Sequence, residues 1–366
     1  GTTGNPKGCV LPNTYFLLAG EWYRNAGGLA QLQDTGERMI TPLPVFHMNA
    51  MAYSFMAMVT VGGCLIALDR FHPKTWWSDV KLSGATCLHY LGVMPTMLMH
   101  IAPSSEDKKH SVRFGFGAGI DPKIHQAFET RFGIPIVEAW AMTETGAGAV
   151  IAANTDNRLI GQSSLGTPAA DISCKIVDEV GQEVPPNTPG ELLVRRTNGE
   201  PKYGFFSHYY KDPNASAEAW EGGWFHTGDL VRQSENGDVF FVDRKKNMIR
   251  RSGENIAAVE VESVLMRHPD ISAVGVTAVP DPIRGDEVFA CIISDSPREK
   301  TALAITEWCL QQMAYYKVPG FIAFVDALPL TATQKIQRVE LKAQAVRLLG
   351  SPDTIPTGHL KKRQVA

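Results

Sequence analysis

Residues 73–140 alternate helix and strand signals, and that alternation constrains the fold more than any other feature of this 366-residue chain. Residues 73–83, carrying Trp76, Trp77 and Val80, read as a helix, 86–93 as a strand, and 95–101 as a helix with proline in its first turn. A strand over 112–117 ends in glycines, and Asp121-Pro122 then starts a helix to about 132, with carboxylate cap and proline in the favoured order. Residues 134–139 read as the next strand. Strands joined through helices in this way imply a parallel sheet with helices on both faces.

The pattern changes twice. After about residue 161 short strands dominate (172–177, 190–195, 239–242), which predicts a β-rich subdomain over about 162–243 within an α/β domain of 1–243. From 244 a compact α+β unit is expected, with helices near 259–267 and 302–313 and strands near 273–279, 288–293 and 321–325. The expected fold class is thus α/β plus α+β, a parallel-sheet part with a β-rich subdomain followed by a small mobile C-terminal domain over 244–350. Residues 351–366 are polar, with Pro352 and Pro356, and read as a frayed tail.

Composition excludes several classes. Lys plus Arg is 35 against 38 Asp plus Glu, a net charge of −3 that leaves no electrostatic footprint for nucleic acid. The six cysteines are scattered without a C-x-x-C pair, which predicts reduced, mostly buried thiols of a cytoplasmic protein. Residues 39–68 lack any Asp, Glu, Lys or Arg, but Pro42, Pro44, His47, Asn49 and Gly62-Gly63 interrupt a spanning helix. A buried helix, a glycine turn and a short strand are expected there. The chain opens at Gly1 without methionine, inside a loop of functional character, so a preceding portion of the parent protein is expected.

Seven segments carry chemistry. Gly1-Thr2-Thr3-Gly4-Asn5-Pro6-Lys7-Gly8 combines glycines that admit an anion, hydroxyl donors and one cation, without the Walker A spacing. Gly117-Ala118-Gly119 leaves room for a flat ring after a strand, and Ala139-Trp140-Ala141-Met142-Thr143-Glu144 follows the next strand, at the sheet edge where open α/β folds bind ligands. Further on come Trp224-Phe225-His226-Thr227-Gly228-Asp229, Asp243-Arg244-Lys245-Lys246, Arg250-Arg251-Ser252-Gly253-Glu254-Asn255-Ile256, and Pro329-Leu330-Thr331-Ala332-Thr333-Gln334-Lys335. In this order and spacing the segments resemble the motifs of the adenylate-forming superfamily of acyl-CoA ligases, luciferases and adenylation domains. Several of them look most like crotonobetaine/carnitine–CoA ligases and related acid–CoA ligases.

The resemblance implies an AMP-forming acid–CoA ligase that uses ATP, Mg²⁺ and CoA. Thr2, Thr3, Gly4 and Lys7 would hold phosphate, and Gly117, Ala118, Gly119 and Trp140 would hold adenine. Thr143 would donate to a phosphate oxygen and Glu144 would ligate Mg²⁺. Asp229 and Arg244 would bind ribose, and Lys246 would mark the pivot of domain alternation. Gly253 would line the path of the thiol. Lys335 would bridge substrate carboxylate and α-phosphate, and His47, in Pro44-Val45-Phe46-His47-Met48-Asn49, would lie beside the acid. Trp140-Ala141 in place of Tyr-Gly and Gln334 in place of Gly are the departures. The expected partners are a carboxylic acid, ATP and CoA, with a homodimer left open and neither nucleic acid nor a membrane span. A carrier-loading adenylating enzyme and a non-catalytic nucleotide-binding fragment are the alternatives.

Overall fold

The computed structural model describes residues 7–197, 199–296, 299–331 and 335–361. The chain divides into two compact units, one of Lys7–Thr227 and Val231–Phe241, the other of Gly228–Leu230 and the chain from Val242 onward.

The first unit begins with β1 (Cys9–Val10) and a helix, Asn13–Asn25. Then come β2 (Arg38–Thr41), β3 (Cys64–Ala67), β4 (Cys87–Leu91), β5 (Phe114–Ala118), β6 (Ile136–Trp140) and β7 (Ile151–Ala152). They form one sheet in the order β3-β2-β4-β5-β6-β7, parallel except for β7. Successive side chains leave a strand on opposite faces, and both faces here are buried. Met39, Cys87, Phe114 and Val137 enter the cluster under the helix Asn13–Asn25. Their neighbours Ile40, Leu88 and Ile136 enter a second cluster with Trp76, Phe128 and Phe132. The expected parallel sheet, covered on both faces, is what forms.

The charge-free stretch resolves into the expected helix, glycine turn and strand, but the helix is half-buried rather than buried, with Phe55 and Val59 exposed. It supplies β2, a π-helical turn over Asn49–Ser54 running into the helix Phe55–Val61, a left-handed Gly62 (φ 63°) and β3. Among the described residues no helix is long and apolar enough to cross a membrane.

The strands that follow are β8 (Ser164–Gly166), β9 (Ile172–Val177), β10 (Gly190–Arg196), β11 (His208–Tyr209), β12 (Phe225–Gln233) and β13 (Val239–Arg244), of which Gly228–Leu230 in β12 and the end of β13 from Val242 count with the second unit. Five of them make a sheet ordered β8-β13-β12-β10-β9, while β11 pairs with β1. Ile172, Leu192, Val194, Phe205, Phe225 and Val231 share its core. All six cysteines are free thiols.

The second unit contains β14 (Ile249–Arg251), β15 (Glu254–Ile256), β16 (Ala273–Asp281), β17 (Gly285–Ile293), β18 (Phe321–Phe324) and β19 (Thr354–Pro356), with helices including Ala258–Leu265 and Glu299–Gln312. The sheet runs β15-β14-β17-β18-β19, with β16 also on β17. The expectation of a frayed tail over 351–366 is overturned for residues 351–361: β19 pairs antiparallel with β18, Ile355 opposite Ile322, and a 3-10 turn follows at Gly358–Leu360, while 362–366 lie outside the described residues. Ile355 packed on the core and a ladder of backbone bonds help to order a segment whose composition reads as polar.

Candidate functional site

Thr143 and Glu144 lie in the turn that leaves the carboxyl end of β6, and three tyrosines hold that turn. The Tyr15 hydroxyl donates to the Thr143 carbonyl at 2.9 Å and Tyr53 to the Gly146 carbonyl at 3.0 Å. Tyr209 donates to Glu144 Oε1 at 2.8 Å. The Phe206 amide donates to the Glu144 carbonyl at 2.8 Å. Gly146 is left-handed (φ 47°), and a Cβ there would stand 2.2 Å from the Tyr15 ring, so the turn admits no side chain at that point. Lys7 follows from the pairing of β1 with β11: its ammonium sits 4.0 Å from the centroid of the Tyr209 ring. Lys7, Tyr209 and Glu144 thus form one chain of contacts. Burial, with the Glu144 carboxylate second, pushes the Cys9 thiol beside them up to about 12.

The glycine segment at the end of β5 is shaped by its neighbours. A Cβ on Gly117 would lie 2.2 Å from the Tyr90 carbonyl oxygen, and one on Gly92 would lie 1.8 Å from that of Gly119. Buried Glu138, on β6, accepts from the Gly119 amide at 3.0 Å, the Ile120 amide at 3.1 Å and the Tyr90 hydroxyl. Burial raises its pKa above the usual carboxylate range. Ala118 and Gly119 remain exposed. Trp140 is only 5% exposed and belongs to the cluster that holds Ile151, Leu165 and Phe225.

His47 begins the segment that enters the π-helical turn; its Nδ1 accepts from the Asn49 amide at 3.2 Å. Beneath that turn His89 is fully buried, with Tyr23 at 2.9 Å from Nε2, and with Ser54 at 2.8 Å and Asn49 against Nδ1. Burial lowers its pKa from 6.5 to about 3, so the ring is neutral in the fold. Below pH 6.5 the unfolded chain therefore binds a proton that the native protein refuses. Stability is expected to fall by about 1.4 kcal/mol per pH unit from there toward pH 3. Urea midpoints at pH 7 and 4.5 check it: His89→Gln should show a shallower loss than the unsubstituted protein, and equal losses would refute the assignment.

In the second unit, buried Asp229 pairs with the Arg244 guanidinium at 3.2 Å. Asp243 builds the neighbouring turn. Its Oδ1 accepts from the Arg244 amide at 2.6 Å and Asn247 Nδ2 at 3.2 Å, and its Oδ2 from the Val259 amide at 3.2 Å. Lys246 stands exposed in the 3-10 turn Lys245–Asn247. Ser252 (φ 52°) and Gly253 (φ 84°) are both left-handed and close the hairpin between β14 and β15, the geometry of a two-residue primed turn. Lys335 is exposed as a residue, with its amide on Thr331 Oγ1 at 3.1 Å. Surrounding protein, then the Arg244 guanidinium, lower its ammonium below the usual lysine range, while Asp229 acts the opposite way. Lys335, Arg244 and Asp229 therefore share one electrostatic neighbourhood within the second unit, although Lys335 stands 91 residues after Arg244 and 106 after Asp229.

Thr2, Thr3, Gly4 and Gln334 lie outside the described residues. Sequence reasoning missed Tyr15, Tyr53, Tyr209, Glu138 and Asp243 as positioning groups. Asp243 alone stood inside a quoted motif; a tyrosine 65 residues from Glu144 gives no local signal.

The family model described as AMP-binding enzyme matches residues 1–204, and that described as AMP-binding enzyme C-terminal domain matches residues 260–335. The chain is 30% identical over 344 residues to the crotonobetaine/carnitine–CoA ligase of Salmonella arizonae and 31% to that of Proteus mirabilis. Each match covers 93% of this chain and 65% of the relative's length. An anthranilate CoA ligase in complex with anthranoyl-AMP superposes with a TM-score of 0.79 at 26% identity, covering 96% of this chain and 66% of that one. The o-succinylbenzoate CoA synthetase from Bacillus subtilis, in complex with its acyl-adenylate intermediate, shares the fold with a TM-score of 0.78 at 24% identity, over 93% of this chain and 67% of that one. With the motifs in order, the glycine segment and Glu144 turn at the sheet's carboxyl edge, and more than half of its length matched by one family model, the chain belongs to the AMP-binding enzyme family.

Proposed function

We propose that the protein is an ATP-dependent acid–CoA ligase, acting on a crotonobetaine- or carnitine-like or short-to-medium-chain carboxylate. The observation that carries this reading is the buried Asp229 paired with Arg244 in the same compact unit that holds Lys335. In the first step a carboxylate oxygen bonds to the α-phosphorus of ATP and the bond to pyrophosphate breaks. In the second the CoA sulfur bonds to the acyl carbon, the bond to AMP breaks and the thiol proton leaves. Lys335 holds the two anions of the first step together by fixed positive charge. Asp229, already paired with Arg244, accepts from the ribose hydroxyls.

Glu144 suits Mg²⁺ as a single carboxylate. Tyr209 occupies one of its oxygens, and Mg²⁺ at phosphate sites takes one or two carboxylates, with phosphates and water completing the shell. Among the described residues no group of three or more His, Cys, Asp or Glu forms a cage for a resident metal, which agrees with an ion that arrives with the nucleotide. The absence of acidic residues over 39–68, which includes the segment assigned to the acid, disfavours an α-ammonium substrate. Lys335 serves the first step and the Ser252–Gly253 turn the second, by alternation of the C-terminal domain about Lys246.

Pyrophosphate exchange by the full protein across a panel of acids, betaines included, tests the reading. The expected result is acid-dependent exchange without CoA, then AMP release on adding CoA. Exchange without transfer to CoA would favour a carrier-loading enzyme; ATP binding without exchange would leave a nucleotide-binding fragment.

A further inference from the structure

The chain beyond β19 does something no motif announced. The Thr357 and Gly358 amides both donate to the Gly320 carbonyl, at 2.9 and 3.0 Å, and the Thr357 hydroxyl donates to Pro319 O at 2.8 Å. That clamp delivers Lys361 into the protein, its side chain 1% exposed, with the ammonium 2.6 Å from Glu287 Oε1. Glu287 is 5% exposed in its side chain, and its two oxygens also accept from Arg251 Nε at 2.8 and 2.9 Å. Gly320 makes the space: a Cβ there would meet the Glu287 carboxyl carbon at 2.5 Å. Arg251 is the last residue of β14, directly before the Ser252–Gly253 turn.

We propose that residues 354–361 are a strap whose Lys361, acting through Glu287 and Arg251, positions the Ser252–Gly253 turn for transfer to CoA. The inference rests on the reading that this turn serves the thiol step. Three observations support coupling over mere tail anchoring. Lys361 ends on the same carboxylate as Arg251 rather than on solvent or a backbone carbonyl. Among the described residues the turn is otherwise held by backbone, through the Ser252 amide on the Arg284 carbonyl at 2.8 Å, the β14–β15 ladder and the pairing of Arg251 with Gly285 on β17, so the Arg251 side chain is its link to Glu287. Ser252 takes the left-handed conformation that this two-residue turn demands, a costly one for a non-glycine residue, so the turn depends on the flanking strands staying in place. Burial, against the pull of Glu287, lowers Lys361 to about 8, the signature of an ammonium held away from water for the sake of its partner.

Lys361→Met and Lys361→Arg in the full protein test the strap by two readouts. Amide hydrogen exchange over residues 251–256 is expected to quicken in Lys361→Met and return toward the original rate in Lys361→Arg. Acyl transfer from supplied acyl-adenylate to CoA should fall about tenfold in Lys361→Met, while acid-dependent pyrophosphate exchange stays within about twofold. Simple destabilisation of the domain would depress both half-reactions together, since Lys335 resides in it too. Unchanged amide exchange at the turn overturns the strap, as does quickened exchange with unaltered transfer. A failure of the underlying reading shows separately, in the unsubstituted protein, as absence of any CoA-dependent step while the amide-exchange readout still reports on the coupling.

Discussion

Lys335→Ala is expected to lower acid-dependent pyrophosphate exchange by about 10²–10³-fold while sparing thioester formation from supplied acyl-adenylate. The magnitude follows from the charges. Two unit anions about 4 Å apart at an effective dielectric near 20 repel by ~4 kcal/mol, and that is about three decades of rate. A fixed ammonium offsets this repulsion in the first step; in the second the CoA sulfur attacks the carbonyl carbon of the mixed anhydride, and no free carboxylate has to approach the phosphate. Desolvation by surrounding protein, then the Arg244 guanidinium, press the Lys335 pKa downward, and Asp229 is the group that favours its charge. Lys335→Arg should recover only part of the rate, because a planar fork cannot stand where a compact cation bridges two oxygens. Single-turnover assays of each half-reaction decide the matter: equal losses in both would remove Lys335 from the first step.

The parts of this protein that repeat a local rule were legible in the sequence. Asp121-Pro122 announces its helix, and the Asp121 carboxylate does cap the Lys123 amide at 3.0 Å. The alternation over 73–140 yields β4, β5 and β6 in the expected order because a strand buried on both faces must be apolar at nearly every position. The charge-free stretch is read correctly as interrupted because its prolines and glycines contradict a single helix. Illegible were features that depend on two distant segments meeting. Tyr209 reaches Glu144 only because β11 pairs with β1, and Lys361 reaches Glu287 only because a polar stretch of chain adds a strand beside β18. The π-helical turn over Asn49–Ser54 was hidden for another reason: its register is set by His89, a buried ring 40 residues away from Asn49, rather than by any periodicity of its own.

Glu144→Gln and Tyr209→Phe should prove non-additive. Glu144→Gln keeps the shape of the side chain and removes the charge, so kcat/KM for MgATP is expected to drop by about 10²–10³-fold. Tyr209→Phe removes a hydrogen bond to a charged group, of order 1.5–3 kcal/mol, and should cost about 10–100-fold. If the tyrosine acts only by fixing the Glu144 carboxylate, adding Tyr209→Phe to Glu144→Gln changes little more, since the group being aimed has already lost its charge. Lys7 sharpens the test. Its ammonium rests on the Tyr209 ring, which phenylalanine retains, so Tyr209→Phe leaves that contact in place while cutting the bond to Glu144. A double variant as impaired as the sum of the two singles would show that Tyr209 contributes by a route other than Glu144. Near-identity of the double variant with Glu144→Gln would establish the Tyr209 hydroxyl and the Glu144 carboxylate as one functional unit.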